Sequence, residues 1–154
     1  MKIYIAHYQS SIGTVEIEGT QAGIVALNFV ERPHAGDDEL PGILRECVKQ
    51  IDEYFSGRRK TFSLKLSLQG TEFQNSVWHR LVTIPYGQTH SYSEFAAAIG
   101  KPAACRAVGN ANGKNPISII VPCHRLIGSD GALTGYGGGL WRKEWLLKHE
   151  SENR

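Results

Sequence analysis

The hydrophobic pattern of this chain changes near residue 40 from the alternation of strands to the spacing of helices, and that change predicts an α+β architecture. Three earlier segments, 2–9, 13–18 and 23–30, are rich in Ile, Val, Tyr and Phe and are separated by Ser and Gly. Alternating large apolar residues in the third segment are typical of a strand with one buried face. The pattern predicts a small antiparallel sheet at the start of the chain.

Helical periodicity follows and predicts a first helix over 40–56, capped by Gly57. One stripe carries its apolar residues, namely Leu40, Ile43, Leu44, Cys47, Ile51, Tyr54 and Phe55. Because Cys47 lies on this stripe, we expect a packed core thiol there. Residues 58–70 are basic and then extended, so we expect a linker that ends an N-terminal domain, 1–70.

A mostly helical second domain is predicted over 71–154. Thr71 with Gln74, and then Ser91 with Glu94, have the spacing of capping boxes at the starts of two helices.

The second capping box opens a short helix that ends at Gly100, and a further helix is predicted over 103–112. Two short helices joined by a glycine turn are typical of a helix-turn-helix. On the second of them, Ala104, Ala107, Val108 and Ala111 form an apolar face, and Arg106, Gly109, Asn110 and Gly113 form the opposite face. The flat face around the arginine lets another backbone approach closely. It fits DNA and a tight helix–helix contact equally well.

Charge and cysteine content limit the partners and the compartment. The chain of 154 residues has a net charge of +2, whereas residues 91–150 carry seven basic and four acidic side chains, which leaves +3. This mild excess could meet phosphate, although a solvated surface is the simpler explanation. No apolar run reaches the roughly 20 residues of a membrane span, and no signal-peptide pattern opens the chain. Three cysteines without paired spacing favour a reducing, cytoplasmic location.

One cysteine, Cys123, has the neighbours of a reactive thiol. A β-branched apolar run over 117–121 predicts a buried strand or extended segment that leads into Pro122 and Cys123. A thiol attacks as the thiolate, and the adjacent His124 and Arg125 could supply a base or a positive charge. From the residues alone, a structural role for this cysteine stays open.

A helix predicted over 139–150 contributes a carboxylate. Glu144 lies four residues after Leu140 and three before Leu147, so the spacing places it on their apolar face. A buried carboxylate needs a partner, and His124 is the candidate we favour. Glu144 would orient the imidazole, which would take the thiol proton. The alternative is an exposed Glu144 bonded to a backbone amide.

These residues belong to a longer set of spaced motifs, and the set resembles the O6-alkylguanine-DNA alkyltransferases, also called methylated-DNA–protein-cysteine methyltransferases. In that family's order, the motifs are Ile84-Pro85-Tyr86-Gly87, Ser91-Tyr92, Arg106-Ala107-Val108-Gly109, Asn115-Pro116, the stretch from Ile119 to Arg125, Gly131-Ala132, Tyr136 with Gly138-Gly139-Leu140, and the stretch from Lys143 to Leu147. They cover about 71–150. Residues 1–70 match only the layout of the family's small sheet-plus-helix domain.

The resemblance implies direct-reversal DNA repair, in which the alkyl group of O6-alkylguanine passes to Cys123 in one displacement, once per molecule. His124 would act through a water as the base, and Glu144 would hold His124. Asn115 would help to position the thiol, and Tyr92 would protonate the leaving guanine. Whether O4-alkylthymine is a further substrate stays open.

The resemblance also implies how DNA would bind. The helix-turn-helix would lie against the minor groove of double-stranded DNA, and Arg106 would fill the gap that a flipped base leaves. The other DNA-binding residues implied are Tyr92, Ala107, Gly109, Asn110 and Arg125. The pocket would be lined by Val121, Pro122, Tyr136, Gly137 and Gly138, with Gly137 standing where some relatives have a serine.

No cofactor and no metal are expected. The glycine run that begins at Gly137 lacks the context of a nucleotide-binding loop. His7 and His34 have no cysteine pair near them for the structural zinc that some relatives carry. We expect a monomer without membrane contact in the cytoplasm, associated with the nucleoid when it is bound to DNA.

Three other functions compete with alkyl transfer. Alkyltransferase-like binding proteins lack the acceptor cysteine, whereas Cys123 is present here. A cysteine hydrolase would have to use a nucleophile and a base adjacent in sequence, which is unusual. A helix-turn-helix regulator would need no reactive thiol.

Overall fold

A three-stranded antiparallel sheet and one helix make up the first of two structural units. The computed structural model covers residues 1–154, and these units are Met1–Gln69 and Gly70–Arg154. In the first, the elements are β1 (Tyr4–Ser10), β2 (Gly13–Thr20), β3 (Gly23–Phe29) and α1 (Gly42–Phe55), with the strands in the order β1-β2-β3. The predicted antiparallel sheet and first helix are confirmed.

The apolar stripe of α1 packs on the sheet and forms the core of this unit. A Cβ on Gly19 would lie only 2.9 Å from Leu44 Cδ1, so glycine lets the helix approach β2 closely. The predicted core thiol is confirmed, because Cys47 is fully buried. Burial raises the pKa of Cys47 to about 12, which keeps this thiol protonated and inert.

The segment that follows α1 is more than a linker. Ile24 donates its N–H to Lys65 O at 2.9 Å, and Ser67 N–H donates to Ile24 O at 2.8 Å. These two bonds pair Leu66 with Ile24 in parallel and add a short extension to the sheet.

The second unit is mostly helical, as predicted, which confirms the α+β class. Its elements are α2 (Glu72–Leu81), β4 (His90–Ser91), α3 (Tyr92–Ala98), α4 (Cys105–Gly113), β5 (Leu126–Ile127) and α5 (Leu140–Glu152), with one 3-10 turn at Cys123–Arg125. The strands β4 and β5 pair in parallel. Both predicted capping boxes are present, at Thr71 with Gln74 and at Ser91 with Glu94.

The helices α2 and α3 both pack against α4 in the second unit. Trp78 Nε1 donates to Ala111 O at 2.8 Å and ties α2 to α4. Phe95 and Val108 are buried between α3 and α4, and Gly100, at φ 77°, makes the turn between them. The helix α4 starts two residues later than predicted, because Ala104 N–H first closes a turn on Lys101 O. No helix in either unit combines the length and apolarity needed to cross a membrane.

Candidate active site

The apolar run over 117–121 is mostly buried but forms tight turns, so the predicted strand or extended segment is wrong. Val121 N–H bonds to Ile117 O at 3.1 Å, and within that loop Ile120 N–H bonds to Ser118 O at 2.8 Å. The bond from Ile120 to Ser118 closes a γ-turn centred on Ile119, whose φ is 72°. This is the rarer, strained form of γ-turn, and a positive φ is unusual for a β-branched residue. Consecutive tight turns therefore deliver the chain to the cysteine.

Asn115 holds these turns from one side. Its Nδ2 donates to Val121 O at 2.8 Å, and its Oδ1 accepts from Ile117 N–H at 2.9 Å. Pro122 then forms a second γ-turn, closed by Cys123 N–H on Val121 O at 2.8 Å. Val121 and Pro122 are themselves buried and shape the backbone of this turn.

Cys123 lies at the start of the 3-10 turn, and the residue is only 5% exposed. Burial raises the pKa of Cys123, while the side chain of Asn115, the charge of Lys143 and nearby backbone N–H groups oppose that rise. In addition, Asn112 Nδ2 donates to Cys123 O at 3.2 Å and fixes the backbone. At rest the group is a protonated thiol, so it needs a base before it can attack.

The residue that follows Cys123 is a histidine oriented by a carboxylate. His124 is fully buried, and its Nε2 lies 2.7 Å from Glu150 Oε2. Burial lowers the pKa of His124 against the opposing pull of Glu150, so the ring is neutral near pH 7. An ionised carboxylate only accepts hydrogen bonds, so the single ring proton belongs on Nε2. The buried Nδ1, which has no partner within the chain, is then the free lone pair.

Glu144 is not the partner of His124, so the prediction is wrong. It placed the wrong face of α5 toward the interior. The face of α5 that points inward carries Lys143, Leu146 and Glu150, whereas Glu144 is exposed. The prediction used Leu140 as an inward residue, but Leu140 is 47% exposed. The apolar residues of α5 occur on more than one face, so their spacing did not identify the buried one.

Arg125 is also placed differently from the prediction that it contacts DNA. Its Nε and Nη2 donate to the two Glu150 oxygens at 2.8 and 3.0 Å, and its Nη1 donates to Ile84 O at 2.7 Å. The side chain is buried and cannot reach a phosphate. Burial alone would raise the pKa of Glu150, but His124 and Arg125 together hold it well below the usual range.

Lys143 is a site residue that sequence reasoning missed. It is fully buried, and its Nζ donates to Leu126 O at 2.6 Å and to Thr134 O at 2.8 Å. Burial lowers the pKa of Lys143, whereas the nearby Cys123 raises it. A buried lysine is rare enough that the sequence pattern gave no reason to place this one in the core.

Two tyrosines border the region around the thiol. Tyr92 begins α3 and donates its hydroxyl to Thr134 O at 3.4 Å, while its ring lies 5.9 Å from Lys143 Nζ. The hydroxyl oxygen of Tyr136 is buried. Burial raises the pKa of Tyr136 well above its ordinary value, and Cys123 adds to that rise.

The helix α4 presents the predicted flat face. Arg106, Ala107 and Asn110 are exposed on it, and Gly109 faces the Tyr92 ring, which a Cβ there would meet at 3.9 Å. Ala107 belongs to this exposed face rather than to the apolar one, and Asn112 is buried in its place. The face is therefore free to contact a partner.

No group of three or more His, Cys, Asp or Glu side chains is arranged to hold a metal ion. His7 and His34 both contact the buried Glu16 carboxylate, at 3.2 and 3.1 Å. Burial alone would raise the pKa of Glu16, but the bonds from His34 and His7 lower it.

Gly137 is exposed and Gly138 is partly exposed in the loop that leads into α5.

A buried cysteine followed by a carboxylate-bonded histidine, in the same unit as a helix-turn-helix with an exposed arginine, has the features expected of a DNA-binding protein with a cysteine nucleophile. Models of two domain families match the chain, namely "6-O-methylguanine DNA methyltransferase, DNA binding domain" over residues 72–152 and "6-O-methylguanine DNA methyltransferase, ribonuclease-like domain" over 3–68. The chain belongs to the 6-O-methylguanine DNA methyltransferase family.

Full-length relatives agree with this assignment. A methylated-DNA–protein-cysteine methyltransferase of Methanosarcina barkeri is 49% identical over 157 residues, which cover 98% of this chain and 99% of the relative. The crystal structure of the Mycobacterium tuberculosis O6-methylguanine methyltransferase superposes with a TM-score of 0.90 at 44% identity, covering 99% of this chain and 95% of that one. That of the M. tuberculosis OGT in complex with DNA gives 0.87 at 48% identity, covering 96% and 92%.

Proposed function

We propose that this protein repairs DNA by direct reversal, moving the alkyl group of O6-alkylguanine onto Cys123. The observation that carries the proposal is the buried thiol followed by the His124–Glu150 pair, 2.7 Å apart. Family membership supports the same reaction. The Methanosarcina barkeri relative named above is a methylated-DNA–protein-cysteine methyltransferase, which is the activity proposed here.

The reaction begins with removal of the thiol proton. Burial disfavours the Cys123 thiolate, so the proton must go to a nearby acceptor as the attack begins. His124 Nδ1 is that acceptor in our proposal, reached through one water molecule. Glu150 stabilises the imidazolium that forms, because it is ionised and bonded to the opposite ring nitrogen.

The sulfur then attacks the alkyl carbon, a C–S bond forms, and the carbon–O6 bond breaks. The electron pair of the broken bond passes to the guanine ring, and the Tyr92 hydroxyl supplies the proton that neutralises the leaving base. The tyrosinate then regains a proton from solvent, and His124 releases the thiol proton to solvent. No separate cofactor carries the alkyl group. The thioether product has no leaving group that could restore the thiol, so each molecule acts once.

Access to the thiol requires the damaged base to leave the duplex. Cys123 is 5% exposed, so a base stacked inside double-stranded DNA could not reach it. We infer that the base is flipped out, with Arg106 of α4 filling the gap from the minor groove. The exposed neighbours Ala107 and Asn110, with Gly109 beside Tyr92, would contact the strand, and Tyr136, Gly137 and Gly138 would line the pocket.

Two finer properties complete the proposal. A protein that reacts once with one lesion needs no second copy to complete its site, so we propose that it acts as a monomer. A thiol nucleophile has to stay reduced, which favours the reducing conditions of a cytoplasm.

Mass spectrometry of peptides tests the reaction directly. After incubation with a duplex that contains one O6-methylguanine, the Cys123 peptide should gain one methyl group, with at most one equivalent per protein. Cys123→Ala should abolish the gain, whereas Cys105→Ala, which removes the partly exposed cysteine of α4, should leave it unchanged. Methylation that persists in Cys123→Ala would refute the proposal. A second duplex with O4-methylthymine tests whether that base is also a substrate.

A further inference from the structure

The loop that leads into α5 has an unusual composition for a segment next to a reactive group. Four of the five residues from 135 to 139 are glycine, so the backbone has little preference for one conformation. The exception is Tyr136, whose hydroxyl oxygen is buried. Thr134, directly before the glycine run, accepts from Lys143 Nζ at 2.8 Å, and the same Nζ donates at 2.6 Å to Leu126 O, directly after the 3-10 turn of Cys123. A contact that fixes this loop therefore orders a segment that Lys143 ties to the turn of Cys123.

Two consecutive side chains at the start of α5 fix the loop. Arg142 Nη1 donates to Gly138 O at 2.9 Å. The Trp141 indole lies on Gly139, where an added Cβ would be 3.2 Å from Cδ1 and 3.3 Å from Nε1. Gly139 also has φ 93°, a conformation that favours glycine, and its N–H closes a turn on Tyr136 O at 2.9 Å.

The same two side chains hold each other. Arg142 Cζ lies 4.5 Å from the centroid of the Trp141 ring, which is a cation–π stack. Trp141 remains 55% exposed, so it contributes little to the core. Its contacts with Arg142 and with the backbone of the loop give a physical reason for a large aromatic residue at this exposed position.

We propose that the Trp141–Arg142 stack is a brace that positions the glycine loop and thereby sets how large an alkyl group Cys123 accepts. This inference rests on the proposed alkyl transfer. While the brace holds, the loop stays close to the thiol and the pocket favours a small group. Without the brace, the loop moves outward more easily and a larger group fits. Both residues are positioning residues, because they act through the loop backbone.

Two duplexes that differ only in the alkyl group on one guanine, O6-methyl or O6-benzyl, test the brace. Single-turnover rates of transfer to Cys123 are measured for the wild type, Trp141→Ala and Arg142→Ala. The benzyl-to-methyl rate ratio should rise about fivefold in both variants, because pocket contacts discriminate against bulk only while the loop is ordered. A change in DNA affinity cancels in this ratio, because the phosphates are the same.

Conservative variants separate the brace from a general structural role. Trp141→Phe keeps a stacking ring and should return the ratio to that of the wild type. Arg142→Lys should keep the benzyl-to-methyl rate ratio raised. The lysine ammonium is not planar, so it cannot stack on the Trp141 ring and donate to the loop backbone as the guanidinium does. If an alanine variant fails to fold, this pair carries the test alone.

Hydrogen exchange provides an independent readout. The Gly139 amide should exchange faster in Trp141→Ala than in the wild type, while the amides of α4 keep their protection. The brace is overturned if the benzyl-to-methyl rate ratio is unchanged in every folded variant that lacks the stacked ring or the guanidinium group. Absence of transfer from both duplexes to the wild-type protein would instead overturn the proposed function.

Discussion

The Glu150 carboxylate lies 2.7 Å from the His124 imidazole, and the same carboxylate accepts two bonds from Arg125 at 2.8 and 3.0 Å. It also accepts from the Gly87 N–H at 3.2 Å. One buried group therefore fixes both residues that follow Cys123. The 3-10 turn is consequently held to α5 through side chains that also set the protonation of His124.

Replacing Glu150 with glutamine should affect both reaction rate and stability. The imidazole loses its anionic partner, so transfer to Cys123 should slow by about 100-fold. Arg125 is left buried without a counter-charge, so the free energy of unfolding should fall by about 3 kcal/mol. Single-turnover kinetics and urea unfolding measure the two effects. Glu144→Gln is the matched control, an exposed residue of the same helix, and should shift stability by less than about 0.5 kcal/mol.

Stability should decrease as the pH falls from neutral toward pH 4. Burial lowers the pKa of folded His124, so below the ordinary value of about 6.5 the unfolded chain binds the proton first and unfolding is favoured. Glu150 has a depressed pKa when folded. It therefore stabilises the protein above the ordinary carboxyl value of about 4.3 and loses this contribution at lower pH. Urea unfolding across this range should show a flatter profile for His124→Gln. Parallel profiles would contradict a neutral buried His124.

Local sequence signals predicted most of the fold. The capping boxes at Thr71 and Ser91 depend on residues three apart, so the sequence contains the complete motif. The run over 117–121 was misassigned because β-branched residues suit a strand. Here the side chain of Asn115, which competes for backbone groups, and Pro122 impose turns instead.

The site was harder to predict because its charged groups are buried. The sequence identified Cys123 and His124, since they are adjacent to each other and follow a proline. It did not identify Glu150 or Lys143, because charged residues on a helix are usually solvated and only the tertiary packing shows which ones face inward. The inward face of α5 follows the helical offsets 0, 3 and 7, at Lys143, Leu146 and Glu150. Two of these three residues are charged, so the apolar pattern did not show that this face is buried.

Replacing Lys143 with methionine should shift the pH dependence of the reaction. The positive charge that favours the Cys123 thiolate is lost, so the pKa of Cys123 should rise further and the rate profile should move to higher pH. Leu126 O and Thr134 O lose their donor, which should lower the free energy of unfolding by about 1–3 kcal/mol. Lys148→Met, exposed on the same helix, serves as the control. A rate profile identical to that of the wild type would remove Lys143 from the site.

Replacing Arg106 with alanine should distinguish base flipping from simple electrostatic attraction. Arg106 is exposed on α4, and if its side chain fills the gap left by the flipped base, its loss matters only when a base stack is present. Transfer from O6-methylguanine in duplex DNA should slow by about tenfold, while transfer from the free O6-methylguanine base should be unchanged. Lys114→Ala removes one exposed charge after the same helix and should slow the duplex reaction far less at equal salt concentration. Equal slowing by the two variants would mean that Arg106 only attracts phosphate.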